Sequence, residues 1–124
     1  MVRVLIVDDE VKLAEVLKEF LTPRGFQVWT ASAGEEALPL IQTHRPEVVL
    51  LDMCLGAGRL QGFEMLRQIR TQWPAITVLM WSGSANVEQK AEALRLGATT
   101  FFDKPVNLGE LLRAMQVVNG HRQP

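Results

Sequence analysis

The sequence predicts an α/β fold in which helices cover both faces of a doubly wound, five-stranded parallel sheet. The first observation is that short apolar runs of strand length alternate five times with stretches of helical periodicity along the 124 residues. The second is that proline and glycine residues fall where the helical stretches end. Such an alternation implies right-handed crossovers. We expect the strand order 2-1-3-4-5, one of the common orders of doubly wound sheets.

The chain begins with a strand, a helix and a second strand. Val2–Val7 barely alternates between apolar and polar residues, which is typical of a strand buried on both faces. The next stretch is helical and ends at Pro23 and Gly25. Gln27–Ala31 is predicted as the second strand. The predicted apolar stripe of the helix consists of Leu13, Val16, Leu17, Phe20 and Leu21.

The middle of the chain repeats this pattern. Glu35–His44 is predicted to be helical, although Pro39 should kink or shorten the helix because proline lacks an amide hydrogen. Glu47–Leu51 reads as the third strand. After a glycine-rich loop, a third helix is predicted from about Gly62 to Gln72, with Pro74 as its stop.

The next strand and helix have clear boundaries. Ile76–Trp81 is predicted as the fourth strand. Asn86 and Gln89 resemble a capping box for the helix that follows, and Gly97 closes it. Thr99–Asp103 is predicted as the fifth strand.

The last helix completes a domain predicted to span residues 1–119. Asn107 with Glu110 is predicted to cap this helix. Residues 120–124 are interpreted as a tail or as the start of a linker. The apolar stripe predicted for the helix consists of Leu108, Leu111, Leu112, Met115 and Val118.

Composition excludes several classes of protein. Hydrophobic residues make up 48% and charged residues 22%, as in average globular domains. No membrane span or signal peptide is expected, because the apolar runs are short and acids interrupt the first one. The single cysteine, Cys54, excludes an internal disulfide and fits a reducing compartment, so we expect a cytoplasmic protein. The net charge of −1 argues against nucleic-acid binding by this domain.

Polar residues follow four of the five predicted strands. Asp8 and Asp9 follow the first strand, Asp52 the third, Ser82 the fourth and Lys104 the fifth. Ligand sites of open parallel sheets lie outside the carboxyl ends of the strands, so these side chains should converge on one crevice.

The chemistry of these residues is mutually consistent. Three crowded carboxylates repel one another unless a cation neutralises them, and an all-oxygen site suits Mg²⁺. A lysine and a hydroxyl beside a metal suit a phosphoryl group in transfer. Asp52 is then the nucleophile. Taken singly, each residue has an ordinary role, since acids also stabilise helix N-termini and aspartates often stand in turns. Their joint placement favours the phosphoryl site.

Several short motifs stand in a characteristic order along the chain. They are Val7-Asp8-Asp9-Glu10, Gly34-Glu35-Glu36-Ala37-Leu38, Leu50-Leu51-Asp52-Met53, Ser82-Gly83, Gly97-Ala98 and Phe102-Asp103-Lys104-Pro105. By their order and spacing the chain resembles the receiver domain of two-component response regulators, over residues 2 to about 118. The resemblance implies a flavodoxin-like fold, in agreement with the expected strand order.

The resemblance also implies a phosphorylation site and its metal ligands. Asp52 would be the phosphoacceptor. Asp9 would bind Mg²⁺ directly, while Asp8 would help directly or through water. The backbone carbonyl of Cys54 would supply a further ligand, so that its thiol need not take part.

Further roles follow from the same resemblance. Ser82 and Lys104 would each contact a phosphoryl oxygen, and Phe101 stands at the position of the family's switch aromatic. The bond between Lys104 and Pro105 would be cis, as is usual in the family.

As a member of this family the chain would be a signalling receiver that catalyses only its own phosphorylation and dephosphorylation. Its partners would be a sensor histidine kinase or phosphotransfer protein, and an output domain or protein contacting the face of helix four, strand five and helix five. Homodimer formation on phosphorylation is also implied.

The chain departs from the family pattern after the acceptor. Gly56 stands where the family commonly has proline, and the loop before Gly62 is longer. We expect the loop Gly56–Gln61 to be mobile without metal and partly ordered with it, since glycine leaves the backbone free.

Three alternative functions make different demands on the sequence. A phosphatase with an aspartyl-phosphate intermediate typically carries a second Asp two positions after its nucleophile, where this chain has Cys54. A flavin- or nucleotide-binding protein would need a glycine-rich phosphate loop after strand one, where this chain has acids. A phosphorylation-independent interaction module remains the alternative to a phosphorylated receiver.

Overall fold

The computed structural model describes residues 1–56 and 61–122. Its five strands form one parallel sheet in the order β2-β1-β3-β4-β5, so the predicted strand order is confirmed. Each strand lies within one residue of its predicted boundaries. The strands are β1 (Val2–Val7), β2 (Phe26–Ala31), β3 (Val48–Asp52), β4 (Thr77–Ser82) and β5 (Thr100–Asp103).

Five α-helices connect and follow the strands. They are α1 (Val11–Leu21), α2 (Gly34–His44), α3 (Gly62–Gln72), α4 (Val87–Arg95) and α5 (Leu108–Arg122). The last helix continues three residues past the predicted domain end at 119. Within the described ranges, none of the helices has the length and apolar character needed to cross a membrane.

Two apolar cores lie on opposite faces of the sheet. Leu5 and Val7 of β1 belong to one core, while Val4 and Ile6 belong to the other, as the alternation of side chains along a strand requires. Helices α2, α3 and α4 pack on the first core, and α1 and α5 on the second. The prediction of helices on both faces is therefore confirmed.

Most of the predicted helix ends are confirmed. The amide of Gln89 donates to Asn86 Oδ1 at 2.8 Å, and the amide of Asn86 donates to Gln89 Oε1 at 2.9 Å, which completes the capping box. The amide of Glu110 donates to Asn107 Oδ1 at 3.1 Å. Gly97 has φ of +111°, a left-handed conformation that suits the end of α4.

One helix prediction was wrong in part and another was wrong. Pro39 does not shorten α2, which runs from Gly34 to His44, and the predicted kink stays a prediction. Ala37 and Ile41 of this helix are fully buried, and this packing holds the helix despite the missing amide hydrogen. In α1, Val16 is 53% exposed and Ala14 takes its place in the core, because the buried face is rotated toward Ala14.

Candidate functional site

The predicted convergence of polar residues is found at the carboxyl edge of the sheet. Asp8 follows β1, Asp52 ends β3, Ser82 ends β4 and Lys104 follows β5. Asp8, Asp52 and Ser82 are only 1%, 3% and 2% exposed. Buried carboxylates need charged or hydrogen-bonding partners, so their surroundings determine the chemistry of the site.

Lys104 supplies the positive charge of the site. Its Nζ lies 2.8 Å from Asp8 Oδ2 and 3.1 Å from Asp52 Oδ2. Glu10 Oε1 lies 3.2 Å from the same nitrogen. Nζ also lies 4.7 Å from the centre of the fully buried Trp81 ring, within the range of a cation–π contact. Carboxylates therefore surround the ammonium on one side and an aromatic face contacts it on another.

Asp8, Asp9 and Asp52 form an acidic cluster. One carboxylate oxygen from each lies within 4.8 Å of the others. Asp8 also accepts a hydrogen bond from the amide of Glu10, at 2.8 Å. A single lysine balances only part of the charge of these carboxylates. The close oxygen donors and the remaining negative charge fit a hard divalent cation such as Mg²⁺.

The surroundings shift the ionisation of the two central groups. Burial, and then the charge of Asp8, raise the pKa of Asp52 from 3.8 to about 6, although the amide of Cys54 and the ammonium of Lys104 oppose the rise. Burial lowers the pKa of Lys104, but its hydrogen bond to Asp8 and the charges of Asp52 and Asp8 outweigh burial and raise it. Lys104 is thus positively charged at neutral pH. Ionisation of the Asp52 carboxyl group costs free energy, and a second cation in the site would reduce that cost.

The backbone around the site bears on two predictions taken from the resemblance. The bond between Lys104 and Pro105 is cis, as predicted. The amide of Cys54 donates to Asp52 Oδ1 at 3.2 Å, while its thiol is exposed. The role of the Cys54 carbonyl as a metal ligand stays a prediction.

The two predicted switch residues lie in different environments. Ser82 Oγ accepts a hydrogen bond from the amide of Ser84 at 3.1 Å, and its carbonyl accepts one from the amide of Lys104 at 2.9 Å. Phe101 is half-buried against the core under α2, α3 and α4, and is paired in register with Met80 of β4. Ser82 thus borders the acidic site, whereas the contacts of Phe101 are with the core.

Two glycines, Gly56 and Gly62, lie close to the acidic site and to the end of β3. Gly56 has φ of +61°, and a Cβ atom there would lie 2.7 Å from Asp9 Oδ2. At Gly62 a Cβ would lie 2.6 Å from the carbonyl oxygen of Asp52. The Gly62 contact is with backbone and leaves no room for a side chain, whereas at Gly56 the positive φ itself favours glycine.

Sequence reasoning missed several residues of the site. Glu10 was given no role, although it adjoins the acidic pair, and Trp81 was treated only as a strand residue. Gln61, which binds the backbone of the β3–α3 loop, gave no recognisable pattern. We predicted mobility for the loop Gly56–Gln61, of which residues 57–60 lie outside the described residues, and this stays a prediction. The two ends of the loop, Gly56 and Gln61, are joined by a hydrogen bond.

Comparison with known proteins gives matches along nearly the whole chain. A family model described as the response regulator receiver domain matches residues 4–116. The nitrogen assimilation regulatory protein NtrX of Azorhizobium caulinodans is 34% identical, over 97% of this chain and 27% of that protein. Response regulator MprA of Mycobacterium sp. strain KMS is 35% identical, over 99% of this chain and 53% of that protein. The chain thus spans about a quarter to a half of the length of these relatives.

Solved structures of receiver domains are also similar to this chain over nearly its whole length. The receiver domain of NtrX from Brucella abortus has a TM-score of 0.87 and 34% identity, with 93% of this chain and 96% of that chain covered. The receiver domain of the Francisella response regulator 1452 has a TM-score of 0.90 and 28% identity, with 99% and 100% covered.

Proposed function

The chain belongs to the response regulator receiver domain family of two-component systems, and from this premise we propose that Asp52 accepts a phosphoryl group in the presence of Mg²⁺. One observation supports the proposal above the others. Lys104 Nζ contacts the buried carboxylates of both Asp8 and Asp52, so that a cation held by the acids and the ammonium could together bind a planar, negatively charged group.

The ligands of the cation would be the carboxylates of Asp8, Asp9 and Asp52 together with the Cys54 carbonyl. Mg²⁺ bound there would neutralise the charge of the carboxylates and of the phosphoryl oxygens. Asp9 is exposed, whereas Asp8 is buried and already paired with Lys104. Asp9 is therefore the carboxylate freest to serve as a direct ligand.

In the transfer, an oxygen of the Asp52 carboxylate forms a bond to phosphorus while the phosphorus–nitrogen bond of a phosphohistidine donor breaks. The departing imidazole keeps the electron pair of that bond and takes up a proton. Lys104 exchanges its contact with Asp52 for one with a phosphoryl oxygen, and the hydroxyl of Ser82 donates to another.

Movement of Ser82 would then carry the change to an output surface. The Ser84 amide is bonded to Ser82 Oγ, and Asn86 caps α4 only two residues later. Drawing Ser82 toward the phosphoryl group shifts this connection and vacates space into which Phe101 can rotate. The surface that responds comprises α4, β5 and α5.

The partners in this account are a sensor histidine kinase or phosphotransfer protein and an output domain or protein, with homodimerisation on phosphorylation as one form of output. The domain would catalyse only its own phosphorylation and dephosphorylation. The grouping of Asp8, Asp9, Asp52 and Lys104 among the described residues supports this proposal.

Borohydride trapping tests the acceptor directly. The protein is incubated with acetyl phosphate and Mg²⁺, reduced with borohydride and digested for peptide mass analysis. Reduction of a phosphorylated aspartate yields homoserine, which we expect at position 52. Homoserine at the position of another aspartate, or the absence of homoserine, would contradict the assignment.

A further inference from the structure

We propose that Gln61 is a positioning residue, which clamps the backbone of Leu55 and Gly56 against Asp9 and thereby holds the acidic site ready for a cation. The inference rests on the proposed function, since it concerns the carboxylate expected to bind Mg²⁺ directly.

The side-chain amide of Gln61 binds two consecutive residues of the loop. Its Oε1 accepts a hydrogen bond from the amide of Leu55 at 2.9 Å. Its Nε2 donates to the carbonyl of Gly56 at 3.3 Å. One planar group thus fixes both an amide and the following carbonyl, which restricts the backbone in the way that a pair of main-chain hydrogen bonds would.

The clamped segment is in contact with the acidic cluster. Gly56 approaches Asp9 so closely that a Cβ would lie 2.7 Å from Asp9 Oδ2. Cys54, the residue before the clamp, donates its amide to Asp52 Oδ1 at 3.2 Å. A shift of residues 54–56 would therefore change the surroundings of both the Asp9 and the Asp52 carboxylates.

The conformation of Gly56 explains why a clamp is needed. Its φ is +61°, and glycine has access to many other conformations at little cost. The buried side chain of Leu55 anchors the segment on one side. The hydrogen bonds of Gln61 restrain the glycine on the other side.

Hydrogen bonds at the start of α3 fix the backbone at Gln61 and Gly62. It precedes α3, and its amide donates to Glu64 Oε2 at 2.7 Å. The next residue, Gly62, donates its amide to the carbonyl of Met53 at 3.1 Å and packs directly on the end of β3. The clamp is therefore tied to the strand that carries Asp52.

A purely structural role as a helix cap gives different expectations. A cap stabilises α3 but has no reason to affect cation affinity. Glu64→Ala removes the reciprocal bond of the cap and leaves the side-chain clamp, so it is the matched control. Gln61→Leu removes both clamp bonds at similar side-chain volume, together with the cap bond that the Gln61 side chain accepts from the backbone amide of Glu64. Gln61→Met repeats the test with an unbranched side chain.

Two readouts test the clamp. In metal-free protein, hydrogen exchange at the Leu55 amide should accelerate in Gln61→Leu and not in Glu64→Ala. By tryptophan fluorescence titration, Gln61→Leu should bind Mg²⁺ about three- to tenfold more weakly than wild type, as expected for the loss of two modest hydrogen bonds. In an Asp9→Asn background the same change should have little further effect.

The outcomes separate the inference from the function on which it rests. Wild-type protein that neither binds Mg²⁺ nor accepts a phosphoryl group would contradict the proposed function, while the exchange of the Leu55 amide would still test the clamp. Wild-type Mg²⁺ affinity and unchanged Leu55 exchange in both Gln61 variants would overturn the clamp. Equal losses of affinity in Glu64→Ala and Gln61→Leu would overturn it as well, in favour of the helix cap.

Discussion

Lys104 Nζ lies 3.1 Å from Asp52 Oδ2, although 52 positions separate the two residues in the chain. Strand β4 lies between their strands in the sheet, so the lysine reaches across β4 to contact the acceptor. Lys104 Nζ also forms a salt bridge with Asp8 Oδ2 at 2.8 Å. Before any cation or phosphoryl group arrives, the lysine is the positive charge that these two buried acids share.

Replacing this lysine should separate phosphorylation from metal binding. In Lys104→Met we expect phosphorylation by acetyl phosphate to slow at least about tenfold, because the phosphoryl oxygens lose a charged donor. Mg²⁺ should bind at least as tightly as in wild type, since no ammonium competes for Asp8 and Asp52. Lys90→Met is the matched control, because Lys90 pairs with Asp103 outside the acidic cluster. A wild-type rate in Lys104→Met would contradict this role.

Asp52→Asn should stabilise the metal-free protein at neutral pH. The pKa of Asp52 is about 6 in the folded protein and 3.8 is its ordinary value, so ionisation at pH 7 costs folding free energy. The shift corresponds to a gain of about 1–3 kcal/mol on replacement by the neutral amide. Denaturant unfolding of both proteins in the presence of a chelator measures this difference in the free energy of unfolding.

The pH dependence provides the control for this prediction. The raised pKa means that the folded state binds the proton more tightly, so the cost is complete above pH 6 and shrinks as the pH falls from 6 toward 3.8. The stability difference between Asp52→Asn and wild type should therefore be largest at about pH 8, about half as large at about pH 5, and small below about pH 4. A stability difference that does not change with pH would contradict the prediction that ionisation of Asp52 destabilises the folded protein.

Asp9 should matter more for Mg²⁺ than Asp8. Asp9 is exposed, while Asp8 is buried and bound to Lys104. We expect Asp9→Asn to weaken Mg²⁺ binding more than Asp8→Asn in a titration that follows Trp81 fluorescence. A Trp81→Phe variant identifies the emission of Trp29 and Trp73. Equal or tighter binding in Asp9→Asn would show that Asp9 is not the direct ligand.

Phosphorylation should change the face around α4 and β5. Phe101 lacks the hydroxyl of a tyrosine, so its inward rotation gives up no hydrogen bond to water, and we expect a raised basal population of the active form. Amide chemical shifts with and without beryllofluoride, a phosphoryl mimic, provide the test. Changes should extend across Ser84–Leu96 and Thr100–Phe102. Changes restricted to the surroundings of Asp52 would exclude this output face.

The sheet and the central site were predictable because both depend on strand ends. Asp8, Asp52, Ser82 and Lys104 each end or directly follow a strand, so the parallel order of the sheet determines that they meet. Apolar periodicity identifies strands and helices where their apolar side chains pack on the sheet, as Leu111 and Met115 of α5 do.

The remaining features depend on contacts that no local pattern records. The rotation of α1 that exposes Val16 and buries Ala14 is set by packing on the sheet. The positive φ of Gly56 and its approach to Asp9 depend on the path of a loop between two elements. The hydrogen bonds of Gln61 depend on how the chain folds around Gly56, so a glutamine in a glycine-rich stretch of sequence gave no sign of them.

The central claim is that Asp52 accepts a phosphoryl group with the help of a divalent cation. Intact mass measured after incubation with acetyl phosphate and Mg²⁺ tests it most directly. We predict one phosphoryl adduct on the wild-type protein, none on Asp52→Asn and none on the wild type in chelator. An adduct that persists unchanged in Asp52→Asn, or that forms equally well in chelator, would contradict the claim.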